Sequence, residues 1–181
     1  MILVAPAALD LAISHAVQTW QPAWLTAIMK AASFIFSPEI CVIVSVIILA
    51  FLFHRRHYRQ APIVAVLMLG NLLTIMLKIF FSRPRPTTAD VHVLAHMTGY
   101  SFPSGHALSI ALFAAILIVA LWHHLAELHR SWLVAILGLI VILVGYSRIY
   151  LGVHWFTDVM AGYALALVWG VLTALLFRRR T

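Results

Sequence analysis

The chain has 181 residues, of which 64% are hydrophobic and 9% are charged, whereas an average soluble chain carries about 25% charged residues. A soluble domain of this length could not bury so much apolar surface, so the composition indicates an α-helical membrane protein. The net charge is +7, but the basic residues lie between or at the ends of apolar segments. That pattern is typical of a membrane protein or of a protein that binds an anionic substrate. It argues against nucleic acid as a partner.

The first 21 residues are predicted to form a helix that lies in the membrane interface. Apolar residues recur at helical spacing from Leu9 to Trp20, and Asp10, His15 and Gln18 fall elsewhere on the same helix. A cleaved signal peptide is disfavoured, because no Lys or Arg precedes the apolar stretch.

Six transmembrane helices are predicted after this segment. About 20 residues are needed to cross the hydrocarbon core, so the first two are short for a full crossing. We therefore expect an all-α fold, a bundle of six transmembrane helices with an N-terminal interfacial helix, forming one membrane-embedded domain over residues 1–181. The predicted spans are 23–37, 39–53, 61–81, 105–122, 132–147 and 155–177.

The distribution of charge predicts the orientation. With six spans and the N-terminus inside, seven arginines are cytoplasmic, as the positive-inside rule requires. They are Arg55, Arg56, Arg59, Arg130, Arg178, Arg179 and Arg180. Four other basic residues then fall at the outer ends of spans, where the rule disfavours them, and an anionic ligand bound there would explain them. These are Lys78, Arg83, Arg85 and Arg148.

Lys78 and Arg85 belong to the first of three polar segments at this outer face. They are seven residues apart, or two helical turns, so both can face one side of a helix. Pro84 and Pro86 would end the helix nearby and fix the direction in which Arg85 leaves it. A snorkelling lysine and an exposed basic turn would explain the same residues without a ligand.

The second segment is Pro103-Ser104-Gly105-His106, at the predicted start of the fourth span. A helix start presents free backbone N–H groups and the positive end of the helix dipole, which together bind phosphate readily. Gly105 lets a ligand approach the backbone, and Ser104 can donate a hydroxyl hydrogen bond or simply cap its own helix. His106 is harder to explain structurally, because ionisable residues within membrane helices are rare and costly.

The third segment contains Arg148, His154 and Asp158. His154 and Asp158 are four residues apart, so on a helix they would share one face and could meet. A carboxylate on one imidazole nitrogen fixes the tautomer and leaves the other nitrogen free to attack. A structural His–Asp pair would have the same spacing, but a second intramembrane histidine and the cations on the same surface favour chemistry.

Metal binding is an alternative, because both this pair and His92 with His96 have the spacing of metal ligands. A zinc or two-metal site would need further ligands, preferably carboxylates, and the outer face offers few. The nearby cations would also repel a metal ion. We therefore expect neither a metal nor another cofactor.

Together, the three segments resemble the type 2 phosphatidic acid phosphatase superfamily, the lipid phosphate phosphatases. Its pattern is Lys-x6-Arg-Pro, then Pro-Ser-Gly-His, then Ser-Arg-x5-His-x3-Asp, and every spacing matches over residues 78–158. The matching residues are Lys78, Arg85, Pro86, Pro103, Ser104, Gly105, His106, Ser147, Arg148, His154 and Asp158.

The resemblance implies a role for each of these side chains. His154 would attack phosphorus and form a phosphohistidine, Asp158 would orient and stabilise His154, and His106 would protonate the leaving oxygen. The phosphate oxygens would be bound by Lys78, Arg85, Arg148, Ser104 and the amide of Gly105. The resemblance also implies a metal-independent reaction. Candidates for substrate discrimination in the loop 87–101 and beside it are His92, His96, Tyr100 and Phe102.

The resulting hypothesis is a phosphatase of a bacterial inner membrane, with its active site at the outer face and its lipid substrate entering between the spans. Phosphatidylglycerophosphate, phosphatidic acid and undecaprenyl diphosphate fit equally well. Transfer of the phosphoryl group to an acceptor other than water is a second enzymatic hypothesis. A non-catalytic lipid or anion transporter is a third, although the polar residues cluster at one face and no inverted repeat is visible.

Overall fold

The computed structural model describes residues 8–178, except for the side chain of Arg178. Within those residues the chain is helical and contains no β-strand, as the composition predicts. The helices are α1 Ala8–Val17, α2 Ala23–Ile35, α3 Pro38–His54, α4 Ala61–Leu69, α5 Asn71–Phe81, α6 Gly105–Leu121, α7 Glu127–Tyr150 and α8 Phe156–Arg178, with a short 3-10 turn at Trp122–His124.

Four segments of the described chain are long and apolar enough to cross a membrane, namely Ala61–Phe81, Gly105–His124, Glu127–Tyr150 and Phe156–Phe177. Helices α2 and α3 pass the same test only as a pair, which is bent by 44°. Counted as one crossing, this pair brings the total to five. Six separate spans are therefore not confirmed. The physical reason is length, because the 13 residues of α2 rise only about 20 Å, less than the hydrocarbon core of about 30 Å.

The break between α2 and α3 follows from two residues. Ser37 has an extended backbone, and its hydroxyl oxygen accepts a hydrogen bond from the N–H of Ile40 at 3.4 Å, so it caps the start of α3. Pro38 occupies the first turn, where its missing N–H costs nothing. A helix start is thus encoded between two apolar helices.

Helix α6 lies at the centre of the bundle and packs against α3, α4, α5, α7 and α8. Its approach to α8 depends on Gly162, because a Cβ there would lie 2.7 Å from the carbonyl oxygen of Ser104. The close contact brings the start of α6 against the first turns of α8. Two of the polar segments identified in the sequence are therefore adjacent.

Helix α1 lies at the end of the bundle where α5 and α7 end and α8 begins. The side-chain amide of Gln18 donates to the carbonyl oxygens of Tyr150 at 3.1 Å and His92 at 2.9 Å. The six-span prediction places the N-terminal helix at the opposite end from these segments, whereas α1 lies at the same end. Treating α2 and α3 as one crossing changes the parity and removes the conflict.

The arginine-rich segment between α3 and α4 lies at the other end of the bundle. The rings of His57 and His124 meet there with centroids 5.6 Å apart, and the amide of Gln60 donates to the carbonyl oxygen of Val119. These contacts bring the segment beside the turn that precedes α7. Arg179 and Arg180, which were predicted at the same end, lie outside the described residues.

Candidate active site

The three polar segments converge at one end of the bundle. The end of α5 carries Lys78, and Arg85 follows in the loop. The start of α6 carries Ser104, Gly105 and His106, and the end of α7 carries Arg148. His154 and Asp158 lie where the chain turns into α8. The eight residues predicted from the sequence are thus brought to one region.

His154 and Asp158 form a buried pair. Nδ1 of His154 lies 3.4 Å from Oδ2 of Asp158, and both side chains are almost fully buried. His154 lies in the turn before α8 and not on the helix itself. The two residues therefore do not pair along one helix face as expected, and Asp158 reaches back from the first turn of α8 to the turn before it. The same Oδ2 accepts a hydrogen bond from the N–H of Trp155 at 2.9 Å, which ties Asp158 to that turn.

The turn that carries His154 depends on Gly152. This residue has φ +68°, the left-handed conformation that glycine adopts at little cost. A Cβ at this position would lie 2.2 Å from the carbonyl oxygen of His92. The N–H of Leu94 also donates to the carbonyl oxygen of Leu151 at 3.0 Å. The loop 87–101 therefore packs directly on the turn and supports it.

Arg85 lies against the side of the imidazole that faces away from Asp158. Its Nη1 is 3.1 Å from Nε2 of His154 and donates to the carbonyl oxygen of Val153 at 2.8 Å. Because arginine can only donate, Nε2 is the acceptor and Nδ1 carries the proton towards Asp158. Burial, followed by the neighbouring charge of Arg85, holds the pKa of His154 well below its usual value of 6.5. The ring is therefore neutral, with a lone pair on Nε2.

Backbone carbonyl groups of the loop satisfy two of the cations. Arg85 donates to the carbonyl oxygens of Gly99 at 3.0 Å and Thr98 at 3.3 Å, and Nζ of Lys78 donates to that of Tyr100 at 2.7 Å. These carbonyl oxygens occupy positions that the oxygens of a phosphate group could take. Lys78 and Arg85 can therefore exchange these neutral carbonyl oxygens for the oxygens of an anion.

Arg148 is buried and has spare hydrogen-bonding capacity. Its Nη1 donates to the hydroxyl of Ser33, while Nε and Nη2 have no partner among the described residues. Unpaired buried donors are costly, so their persistence calls for a ligand or a functional explanation. Two charged donors at this end of α7 suit the binding of an oxyanion.

The start of α6 combines a cap with an open backbone position. Ser104 caps the helix, with the N–H of Ala107 at 3.5 Å from its hydroxyl oxygen, and its own N–H donates to the carbonyl oxygen of Asp158 at 3.0 Å. A Cβ on Gly105 would make only ordinary contacts, the nearest at 3.5 Å to Thr74. The buried ring of His106 hydrogen-bonds the backbone carbonyl of Ser33. That contact fixes one ring nitrogen and leaves the other for a substrate.

Arg83 was grouped with the outer cations that an anionic ligand would explain, and the structure corrects this. It is buried, and it donates from Nη1 to Oδ1 of Asp158 at 2.6 Å and from Nη2 to Oδ2 of Asp10 at 2.7 Å. Its charge is thus balanced by two carboxylates. No sequence signal linked residues 10 and 83, although a lone carboxylate in an apolar helix was a clue. Ser33 and Thr157 were also missed, because hydroxyl side chains in apolar segments carry no spacing signal.

The loop histidines considered for metal binding lie at the surface. His92 and His96 are exposed, and Nδ1 of His92 lies 3.0 Å from the side-chain oxygen of Gln21. Within residues 8–178, no three His, Cys, Asp or Glu side chains are grouped so that they could hold a metal ion.

Of the other loop candidates, Tyr100 is exposed, and Phe102 packs on Phe81 with ring centroids 4.8 Å apart.

The model of one protein family, described as the PAP2 superfamily, matches residues 59–181. The chain belongs to this superfamily. The match includes all three polar segments and confirms the resemblance drawn from their spacing. Phosphatidylglycerophosphatase B of Bacillus subtilis is 35% identical over 162 residues, which are 88% of this chain and 78% of that protein.

Two solved structures have the same fold. The crystal structure of a PAP2-type phosphatidylglycerolphosphate phosphatase from Bacillus subtilis has a TM-score of 0.82 and 31% identity, covering 95% of this chain and 86% of that chain. Aquifex aeolicus LpxE has a TM-score of 0.75 and 30% identity, covering 95% of this chain and 98% of that chain. The chain is thus a membrane phosphatase of the PAP2 superfamily.

Proposed function

We propose that this PAP2 phosphatase hydrolyses a lipid phosphomonoester or diphosphate through a phosphohistidine on His154. The observation that carries the proposal is the state of the His154 ring. It is buried and neutral, Nδ1 faces a carboxylate, and the lone pair of Nε2 faces the guanidinium of Arg85. An imidazole in this state is a nucleophile whose target would be held beside a cation.

The phosphate group would replace the carbonyl oxygens that now contact the cations. Lys78 and Arg85 exchange their contacts with the loop for phosphate oxygens, and the unpaired Nε and Nη2 of Arg148 donate to the same group. The N–H of Gly105 and the hydroxyl of Ser104 complete the site at the helix start. Cations and backbone dipoles of this kind stabilise a transferring phosphoryl group.

The reaction then proceeds in two displacements. Nε2 of His154 forms a bond to phosphorus while the bond from phosphorus to the lipid oxygen breaks. His106, protonated on both ring nitrogens when the anionic substrate is bound, gives one of these protons to that oxygen. Asp158 stabilises the positive charge on the phosphorylated imidazole. In the second step a water molecule attacks phosphorus, His106 accepts a proton from it, and the phosphorus–nitrogen bond breaks to release phosphate. Neither step requires a metal ion.

The proposed substrate is a lipid of the bacterial inner membrane, and the proposed site faces the periplasm or cell exterior. The arginines before α4 support this orientation, because the crossing Ala61–Phe81 leaves them at the end opposite the site, where the positive-inside rule favours them. In this topology α1 lies in the interface on the outer side. Phosphatidylglycerophosphate is the first substrate to test, given the named activity of the Bacillus relative, with phosphatidic acid and undecaprenyl diphosphate beside it.

The proposal is tested by phosphate release from purified protein against these three lipids, each with and without EDTA. We expect release from at least one lipid, with EDTA having no effect, and an acid-labile phosphoenzyme trapped on His154. His154→Ala should abolish release while the protein still folds. His129→Ala, which changes an exposed histidine at the opposite end, is the matched control and should retain activity. Near-normal turnover by His154→Ala, or transfer of phosphate to an acceptor lipid in place of water, would contradict the proposal.

A further inference from the structure

A buried charge network connects α1 to the catalytic pair. Asp10, Arg83 and Asp158 come from three distant parts of the chain, and their side chains are 0%, 2% and 0% exposed. None of the three lies at the membrane surface as a solvated charge. Asp10 and Arg83 belong to neither the nucleophile nor the phosphate-binding set described above.

The contacts in the network have defined donor and acceptor atoms. Arg83 bridges the carboxylates, with Nη2 at 2.7 Å from Oδ2 of Asp10 and Nη1 at 2.6 Å from Oδ1 of Asp158. Asp10 is held further by Thr157, whose N–H donates to Oδ1 and whose hydroxyl donates to Oδ2, both at 2.8 Å. The second oxygen of Asp158 faces Nδ1 of His154. A continuous chain of contacts therefore leads from α1 to the imidazole.

We infer that Asp10 and Arg83 are positioning residues for the His154–Asp158 pair, so that α1 is a working part of the active site and not only a membrane anchor. The inference rests on the proposed phosphohistidine mechanism. Asp10 and Arg83 act through Asp158 and do not touch the substrate.

The physical argument concerns the charge that Asp158 offers to His154. A buried carboxylate paired with a single arginine forms a neutral unit, and the arginine draws its charge away from other partners. With Asp10 added, the three groups carry a net charge of −1. Burial raises the pKa of Asp10, but the hydrogen bonds from Thr157 and Arg83 outweigh it and hold this pKa below its usual value. The negative charge is thus retained at neutral pH and can stabilise the imidazolium that forms on attack.

The network also explains why Arg83 is tolerated in an apolar environment. A buried ion pair is weak evidence for stability, since a protein in which apolar side chains of similar volume replace the pair is often at least as stable. Asp10→Asn keeps the shape of the side chain and leaves Arg83 paired with Asp158, so the variant should fold. Asp10→Asn therefore separates the charge of the carboxylate from its packing.

The test compares kcat, KM and melting temperature for Asp10→Asn, Asp10→Glu and Gln18→Ala in the full chain. Asp10→Asn should lower kcat about 10- to 100-fold, the range typical of partners one step removed from a reacting group, with KM changed less than about threefold. Formation of the phosphohistidine in a single turnover should slow by the same factor. Asp10→Glu retains the charge and should recover part of kcat.

Gln18→Ala is the matched control, because Gln18 is a buried residue directly after α1 that hydrogen-bonds backbone carbonyl groups and not the network. It should lower the melting temperature and leave kcat within about twofold. The inference is overturned if Asp10→Asn has a normal kcat, or if kcat follows melting temperature across all three variants. Should Asp10→Asn not fold, Thr157→Val carries the test, and a normal kcat there overturns the inference. Absence of phosphate release by the unaltered protein would contradict the proposed function instead.

Discussion

Arg148 offers a sharp test of phosphate binding, because substituting it should lower activity strongly while changing the stability of the free protein little. Arg148 is 1% exposed, one of its nitrogens donates to Ser33, and Nε and Nη2 have no partner among residues 8–178. Arg148→Lys keeps the positive charge and removes the planar fork. The variant therefore isolates the two unpaired donors from the charge that carries them.

The expected magnitude follows from those two donors. Hydrogen bonds to charged groups contribute about 1.5–3 kcal/mol each, so losing both from the phosphate complex costs about 3–6 kcal/mol. At 1.4 kcal/mol per factor of ten, this corresponds to a fall in kcat/KM of about 10²- to 10⁴-fold, and the retained lysine charge favours the lower end. The free protein loses two unpartnered guanidinium nitrogens, and the lysine ammonium can keep the bond to Ser33. Its free energy of unfolding should therefore change by less than about 1 kcal/mol.

The assay is phosphate release from the best substrate of the lipid panel, with the melting temperature measured in the same detergent. Arg130→Lys is the control, since Arg130 lies in the first turn of the same helix and donates to the carbonyl oxygen of Trp122 at 2.8 Å, at the opposite end from the site. It should leave kcat/KM unchanged. If Arg148→Lys retains kcat/KM within about threefold, or destabilises the free protein as much as it impairs turnover, the assignment of the unpaired donors to phosphate is refuted.

Two further predictions concern the turn that carries His154. Gly152→Ala imposes a left-handed conformation worth about 1–2 kcal/mol and places a Cβ 2.2 Å from the carbonyl oxygen of His92, so both melting temperature and kcat should fall. A normal melting temperature would contradict the geometry of the turn. Because the pKa of His154 is lowered on folding, the unfolded chain binds the extra proton first, and stability should be lost as pH falls below about 6.5. His154→Gln should show a shallower loss over that window, and an identical pH dependence would contradict the buried neutral ring.

The positions of the helices could be predicted because apolar runs in this chain are broken only by short polar segments. The predicted span 61–81 coincides with α4 and α5, and the predicted span 155–177 differs from α8 by one residue at each end. The number of crossings could not be predicted in the same way. Helices α2 and α3, bent by 44° beside Ser37 and Pro38, are long enough to cross only as a pair, and their sequence is equally apolar whether the helices continue or turn back.

The grouping of the candidate site residues could be predicted because these residues follow fixed spacings around three helix ends. The support for that cluster could not. Asp10 and Arg83 are 73 residues apart, and helical periodicity assigned Asp10 to the polar side of an interfacial helix, where a carboxylate is ordinarily solvated. Only the packing of α1 against the start of α8 turns that polar side inward.

The charges at this end of the bundle also bear on which phosphate group the site accepts. Four cations meet there, and the described residues include two buried carboxylates, Asp10 and Asp158, both of which contact Arg83. The cluster is therefore left with two positive charges beside a neutral nucleophile. A phosphomonoester or a terminal phosphate of a diphosphate brings up to two negative charges and balances them. A phosphodiester brings one and would leave a partly buried cation uncompensated, which is costly. We therefore expect the enzyme to prefer terminal phosphate groups to diesters with the same lipid tails.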